Sequence, residues 1–204
     1  METKKLILAA DFEVGFPQIK VLLEQHARLK KAVFIPTAAM VEEWEPVDEL
    51  HVKPLEAMGM RVTTFDLAGK SSAEVRAAMA DVDVIYVSGG NTFYLLEQMR
   101  SCDFKTILQE RLAAGVVYVG SSAGAIVCCP DIAFITPMED VTKANLTNTE
   151  GMALVDFLLV PHLNNPYFNE EAAYITQHYN GERSLLALLD EQVLWVEGSV
   201  IKIL

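Results

Sequence analysis

The sequence predicts an α/β fold: a doubly wound, mostly parallel sheet flanked by helices. Two observations carry this. Short, β-branched apolar runs alternate with longer amphipathic stretches through the first 120 residues, as expected of buried parallel strands joined by right-handed helical crossovers. One such run then ends in Gly120-Ser121-Ser122-Ala123-Gly124 and passes straight into a helical pattern. That is the G-x-S-x-G strand-to-helix turn that exposes a serine above a sheet.

The elements follow in order. Residues 6–10, 32–36, 61–67, 84–88 and 116–119 each read as a buried parallel strand bounded by turn residues. Residues 17–31, 41–59, 72–81 and 92–115 read as the intervening helical segments. In the first of these Ile19, Leu22, Leu23, His26 and Leu29 share one face, and Lys20, Glu24 and Lys30 lie off it. Beyond the serine turn the pattern loosens: apolar residues 132–136, a polar stretch over 139–150, and an apolar run at 157–160. A last helix over 169–179 precedes 185–189, 193–196 and 200–204, which read as a short terminal β-meander. No repeat, low-complexity tract or linker interrupts the chain, so residues 1–204 are expected to form a single α/β domain.

Composition narrows the setting. With 51% hydrophobic residues, 22% charged residues and a formal charge of −12, the chain suits a globular protein repelled by nucleic acid and by anionic membranes. No apolar stretch is long enough to span a bilayer, and the start lacks a secretory core and cleavage site. The three cysteines make no even disulfide framework, and Cys128-Cys129 lacks C-x-x-C spacing. A cytoplasmic location with reduced thiols is the expectation, with no cofactor and no metal. G-x-G-x-x-G and Walker patterns are absent after every predicted strand.

Ligands of open α/β sheets sit at the carboxyl ends of the strands. Two such ends carry unusual chemistry. Only Ser122 has glycines at both flanking positions; around Ser121 those places hold Val119 and Ala123. The other end is Ser88-Gly89-Gly90-Asn91-Thr92, a glycine pair before a helix. Either a capped turn or an oxyanion hole fits it. In the second case Gly90 N–H would act with the N–H of Ala123, the residue after the serine. A serine nucleophile needs a base, and the chain has four histidines. His26, His51 and His178 fall among polar or charged residues, whereas His162 follows Pro161 at the end of a buried run, on the same sheet edge as the serine. Asp190 or Glu191, after the apolar run 185–189, could accept the second imidazole N–H. Asp131, Glu139, Asp140 and Asp156 are rivals, and a plain turn is the default for an Asp-Glu pair between strands.

As a set, these motifs resemble the peptidase E (aspartyl dipeptidase) family of serine peptidases, relatives of cyanophycinase. The pieces are Gly89-Gly90-Asn91-Thr92-Phe93, then Gly120-Ser121-Ser122-Ala123-Gly124-Ala125 with Cys129-Pro130 and Ile132, then Leu154-Val155-Asp156 leading to Pro161-His162. The likeness runs from Ala32-Val33-Phe34-Ile35-Pro36 to about Val196. It implies a flavodoxin-like sheet related to class I glutamine amidotransferases, with serine in place of the cysteine nucleophile. By position, it implies Ser122 as nucleophile, His162 as general base, and Gly90 and Ala123 as oxyanion donors. The family's third member has been placed both after the elbow, near Pro137 here, and on a late glutamate, whose place Asp190 takes. Asp190 is preferred. The implied activity is hydrolysis of short peptides, with a small peptide as partner; the sequence leaves open whether the assembly is a monomer or a homodimer.

Two other functions share the features: an esterase-type acyl hydrolase with the same elbow, and a catalytically silent binding protein on the same sheet. The distance from Ser122 Oγ to a His162 ring nitrogen separates the last from the rest. Specificity is a further departure. The family reads an N-terminal aspartate with an arginine between the histidine and the late acid. This chain has no lysine or arginine between Lys143 and Arg183. Strict aspartyl specificity is therefore expected to be relaxed or lost.

Overall fold

The computed structural model describes residues 4–25, 30–42, 48–179, 181 and 183–204. Its main sheet has seven strands in the order β3-β2-β4-β5-β1-β8-β9. The five strands β1 (Lys5–Ala9), β2 (Lys31–Ile35), β3 (Arg61–Thr64), β4 (Val84–Val87) and β5 (Val117–Ser121) run parallel. Beside β1 the sheet continues antiparallel through β8 (Val193–Glu197) and β9 (Val200–Ile203). The pleat sorts side chains into two cores. Leu6, Leu8, Val33, Ile35, Ile85, Val87 and Tyr118 face one layer of helices, and Ile7, Ala9, Ala32, Phe34, Val84, Tyr86, Val117 and Val119 face the other. Burial on both faces explains why these strands read as unbroken apolar runs.

The helices are α1 (Phe12–Glu24), α2 (Asp48–His51), α3 (Lys53–Ala57), α4 (Ser72–Met79), α5 (Thr92–Ser101), α6 (Phe104–Ala113), α7 (Ala123–Ile126) and α8 (Asn169–His178). Asp11 caps α1, accepting from Val14 N–H at 2.9 Å, so this helix begins well ahead of Pro17. His26 and Leu29, expected on its apolar face, lie outside the described residues. Among the described residues, three 3₁₀ turns, Thr37–Val41, Ala133–Met138 and Val141–Lys143, lie in the connections. Among the described residues no helix is long and apolar enough to cross a membrane. All three cysteines are buried and unpaired.

Several elements depart from the sequence expectation. The strand at 61–67 ends at Thr64 and is largely exposed, because it forms the edge of the sheet. The span 41–59 holds the short helices α2 and α3 in place of one long helix. The helical segment 92–115 is two helices, broken where Asp103 adopts a left-handed φ of 57°, a conformation aspartate tolerates better than most residues. The terminal antiparallel strands are the hairpin β8–β9 alone. The run expected ahead of them supplies β7 (Leu185–Ala187), which pairs in parallel with β6 (Leu158–Val160) in a separate two-stranded sheet.

This second sheet matters for what lies above it. Val160 O accepts from Leu188 N–H at 2.9 Å, and Leu163 N–H donates to Leu188 O at 3.1 Å. The segments leaving β6 and β7 thus stay side by side past the strand ends. His162 and Asp190, far apart in sequence, are delivered to one place.

Candidate active site

The main sheet brings the carboxyl ends of β1, β4 and β5 together, with Ala9 opposite Ser121 and Val87 opposite Gly120. The serine turn stands on that edge. Ser122 has φ 49° and ψ −112°, a backbone conformation strained for any residue with a Cβ. Its neighbours show why they are glycines. An added Cβ at Gly120 would collide with the Gly124 carbonyl, and one at Gly124 with the Val87 carbonyl. The buried Tyr118 hydroxyl donates to Gly124 O at 2.6 Å. Strand and helix are thereby held in contact on either side of Ser122.

His162 also has a left-handed backbone, φ 66°, as the chain turns sharply after Pro161. Its ring is almost wholly buried. Nε2 lies 3.0 Å from Ser122 Oγ, and Nδ1 lies 2.7 Å from Asp190 Oδ1. The other oxygen of Asp190 accepts from Asn165 Nδ2 at 2.8 Å, and Asp190 N–H donates to Asn164 Oδ1 at 2.9 Å. Burial alone would raise the Asp190 pKa; hydrogen bonds from His162 and Asn165, with the His162 charge, more than offset it, and the carboxyl sits below its ordinary value. Phe168 packs against the imidazole with ring centroids 5.2 Å apart. The asparagine pair and Phe168 carry no motif, so sequence reasoning passes over them.

The rival acids are engaged elsewhere. Asp140 accepts from Thr142 N–H and its hydroxyl at 2.9 and 2.6 Å. Asp131 accepts from Ala133 N–H and Thr149. Glu139 accepts from Thr92, Glu191 from Asn164, and Asp156 is exposed. Of the other histidines, His51 is half-buried with Nδ1 2.8 Å from the Tyr86 hydroxyl, and His178 is exposed.

The glycine pair closes β4 beside the serine. Gly89 approaches so closely that a Cβ there would lie 3.1 Å from Ser122 Cβ, and Gly90 has φ 134° with its backbone pressed against Ala38. Among the described residues, no protein acceptor takes the N–H of Gly90 or of Ala123. Gly90 and Ser122 border a cavity of about 390 Å³ that also reaches Asp11, Glu42, Glu139 and Lys143. Lys143 is the one lysine or arginine among the described residues lining it, and it pairs with Glu42 at 2.8 Å. Arg183 lies in a separate depression beside Asp131 and Tyr179.

Known proteins share this architecture. An uncharacterized peptidase of Listeria monocytogenes is 36% identical over 199 residues, covering 97% of both chains. Another from Pasteurella multocida is 34% identical, covering 96% of this chain and 94% of its own length. Peptidase E of Citrobacter koseri is 30% identical over 72% of this chain and 61% of its own length. Among solved structures, a candidate peptidase E protein from Listeria monocytogenes superposes with a TM-score of 0.90 at 34% identity, covering 99% of this chain and 98% of its own. The sequence profile of peptidase family S51 matches residues 9–204. With a peptidase profile spanning nearly every residue and full-length relatives on the same sheet, the chain belongs to peptidase family S51.

Proposed function

We propose that this peptidase is of the serine type and hydrolyses short peptides, with Ser122 as nucleophile, His162 as general base and Asp190 as the acid that orients it. The observation that carries the reading is the unbroken chain from Ser122 Oγ through His162 to Asp190, with separations of 3.0 and 2.7 Å. Ser122 Oγ attacks the scissile carbonyl while His162 Nε2 takes its proton. The resulting oxyanion receives the Gly90 and Ala123 N–H groups, which have no competing protein acceptor among the described residues. His162 then protonates the departing amine and the C–N bond breaks. Water, deprotonated by His162, hydrolyses the acyl-enzyme and restores the Ser122 hydroxyl. Asp190 keeps Nδ1 protonated and Nε2 free to act as base, and balances the imidazolium charge in between.

Five groups of the chain suffice for this chemistry. A cavity of about 390 Å³ suits a peptide of a few residues. The test is hydrolysis of a panel of free dipeptides by the purified protein and by its Ser122→Ala variant. Turnover that survives in the variant removes the serine mechanism.

A further inference from the structure

The mechanism makes no use of Glu139, a half-buried carboxylate in the cavity wall. It leaves the Ala133–Met138 turn and points at the start of α5, where it accepts from both the backbone N–H and the hydroxyl of Thr92. Its neighbour Asp140 offers its carbonyl to Asn91 Nδ2 at 3.0 Å. From the opposite side, Ala38 O accepts Asn91 N–H at 2.8 Å, and the backbone of Ala38 fills the space where a Gly90 Cβ would stand. Residues 90–92 are thus gripped between Ala38 and the 139–140 segment. Burying a carboxylate is costly without strong partners, and a backbone clamp could be made without any charge.

Building on the proposed serine mechanism, we infer that ionised Glu139 is a positioning residue: through Thr92 it holds the Gly90 N–H in the orientation that receives the oxyanion. Two donors of one residue meet two carboxylate oxygens, so the start of α5 has a single seat. Protonation leaves one strong acceptor where two donors converge, and the seat loosens.

The surroundings place that change near neutral pH. Burial, joined by the Glu42 charge, raises the Glu139 pKa to about 7 against the pull of the Thr92 and Phe93 hydrogen bonds. The other charged groups around it are known. Glu42 is paired with Lys143, Asp140 is turned to Thr142, and α5 presents the N–H groups of its first turn. Asp11, Glu13, His51 and His162 line the rest of the cavity.

The test is covalent labelling by an organophosphonyl fluoride, whose phosphoryl oxygen must enter the same hole. Ser122 Oγ bonds to phosphorus, the P–F bond breaks with loss of fluoride, and the serine proton passes to His162. Intact mass follows the rate across pH 5–9 in the wild type and in Ser122→Ala, Glu139→Gln, Thr92→Val and Thr92→Ser. Wild type takes one label and Ser122→Ala none. Glu139→Gln and Thr92→Val label about tenfold more slowly, a fraction of the loss from deleting an oxyanion donor outright, and Thr92→Ser stays near wild type. As pH falls through 7 the wild-type rate drops as Glu139 takes up a proton, so the wild-type pH slope exceeds that of Glu139→Gln by one proton. In peptide hydrolysis the same variants lower kcat and leave KM within about twofold.

Glu139→Gln that labels at the wild-type rate with the wild-type pH slope overturns the inference and leaves the serine mechanism standing. So does a variant that raises KM at unchanged kcat, which would make Glu139 a substrate contact. A wild type that takes no label at Ser122 removes both. Should Glu139→Gln fail to fold, Thr92→Val decides alone: an unchanged rate there refutes the clamp.

Discussion

The Tyr118 hydroxyl and the Gly124 carbonyl, 2.6 Å apart and sealed from water, tie β5 to α7 across the residue that bears the candidate nucleophile. The strain at Ser122 persists because such bonds over-determine the turn. Tyr118→Phe is expected to strip Gly124 O of its strong donor at a cost of about 1–3 kcal/mol. Tm falls by several degrees, and kcat falls more than KM rises. Thermal melts and steady-state kinetics on one dipeptide check both parts.

Ser122→Ala and His162→Ala should each abolish hydrolysis, and the double variant should be little worse than either, since the pair acts as a unit. Ser121→Ala is expected to be far milder. Ser121 is the last residue of β5, paired with Ala9, and the hydrogen bond to His162 comes from its neighbour. A Ser121→Ala variant as dead as Ser122→Ala would mean the wrong hydroxyl has been assigned.

Asp190→Asn should lower turnover by several orders of magnitude, with Asp140→Asn close to wild type. An amide at 190 presents a donor or a weak acceptor to Nδ1 and leaves the imidazolium without its counter-charge. The Asp140 side chain caps the short Val141–Lys143 turn, and its bond to Asn91 is made by the backbone carbonyl, which the substitution leaves in place. Stability should follow suit at low pH. The folded-state pKa of Asp190 lies below its ordinary value, so its contribution is present above about pH 4 and is lost as pH falls through the folded value. The Tm advantage of wild type over Asp190→Asn should therefore shrink below about pH 4.

Glu139 has the opposite sign. Its pKa rises to about 7 in the fold from about 4.3 in an unfolded chain, so the fold favours its neutral form. That contribution is fully present below about pH 4.3 and is lost as pH rises through 7. The urea midpoint of Glu139→Gln, measured relative to wild type, should rise between pH 4 and pH 8. A difference that stays flat across that range would show that the carboxyl titrates normally.

Strict preference for an N-terminal aspartate should be absent. The cavity gathers Asp11, Glu13, Glu42, Glu139 and Asp140 against Lys143, which is already paired with Glu42. An aspartyl side chain would have to take Lys143 from its partner, in surroundings that repel it. Comparing kcat/KM for Asp-Leu, Ala-Leu and Leu-Leu decides the matter. An Asp-Leu preference above about a hundredfold, some 2.7 kcal/mol, would show that Lys143 does change partners. Lys143→Met should then erase the preference.

Much of this was legible from local chemistry. The parallel strands β1, β2, β4 and β5 declare themselves because burial on both faces demands β-branched runs. Ser122 is singled out by glycines that each fill a space where a Cβ would collide. His162 is marked by the proline that ends its strand. Residues whose roles come from tertiary pairing were harder to see. Leu185–Ala187 looks like any strand ahead of a hairpin, and its parallel pairing with Leu158–Val160 depends on contacts no local pattern encodes. Asn164 and Asn165 look like ordinary loop residues, yet both bond to Asp190. Lys143 lies ahead of His162 in the chain, outside the interval between the histidine and the late acid, and only the fold brings it to the cavity.

The antiparallel strand β8 carries one more implication. It lies against β1, with Leu6 opposite Val196 and Ala9 opposite Val193, so nearly the whole chain separates the two partners. Asp190 sits in the turn just ahead of β8, and its seat exists only once that long loop closes, a slow step for so distant a contact. The contact between His162 and Asp190 is therefore tied to closure of the sheet around β1, and a change that loosens β8 should disturb the geometry at Ser122 from a distance.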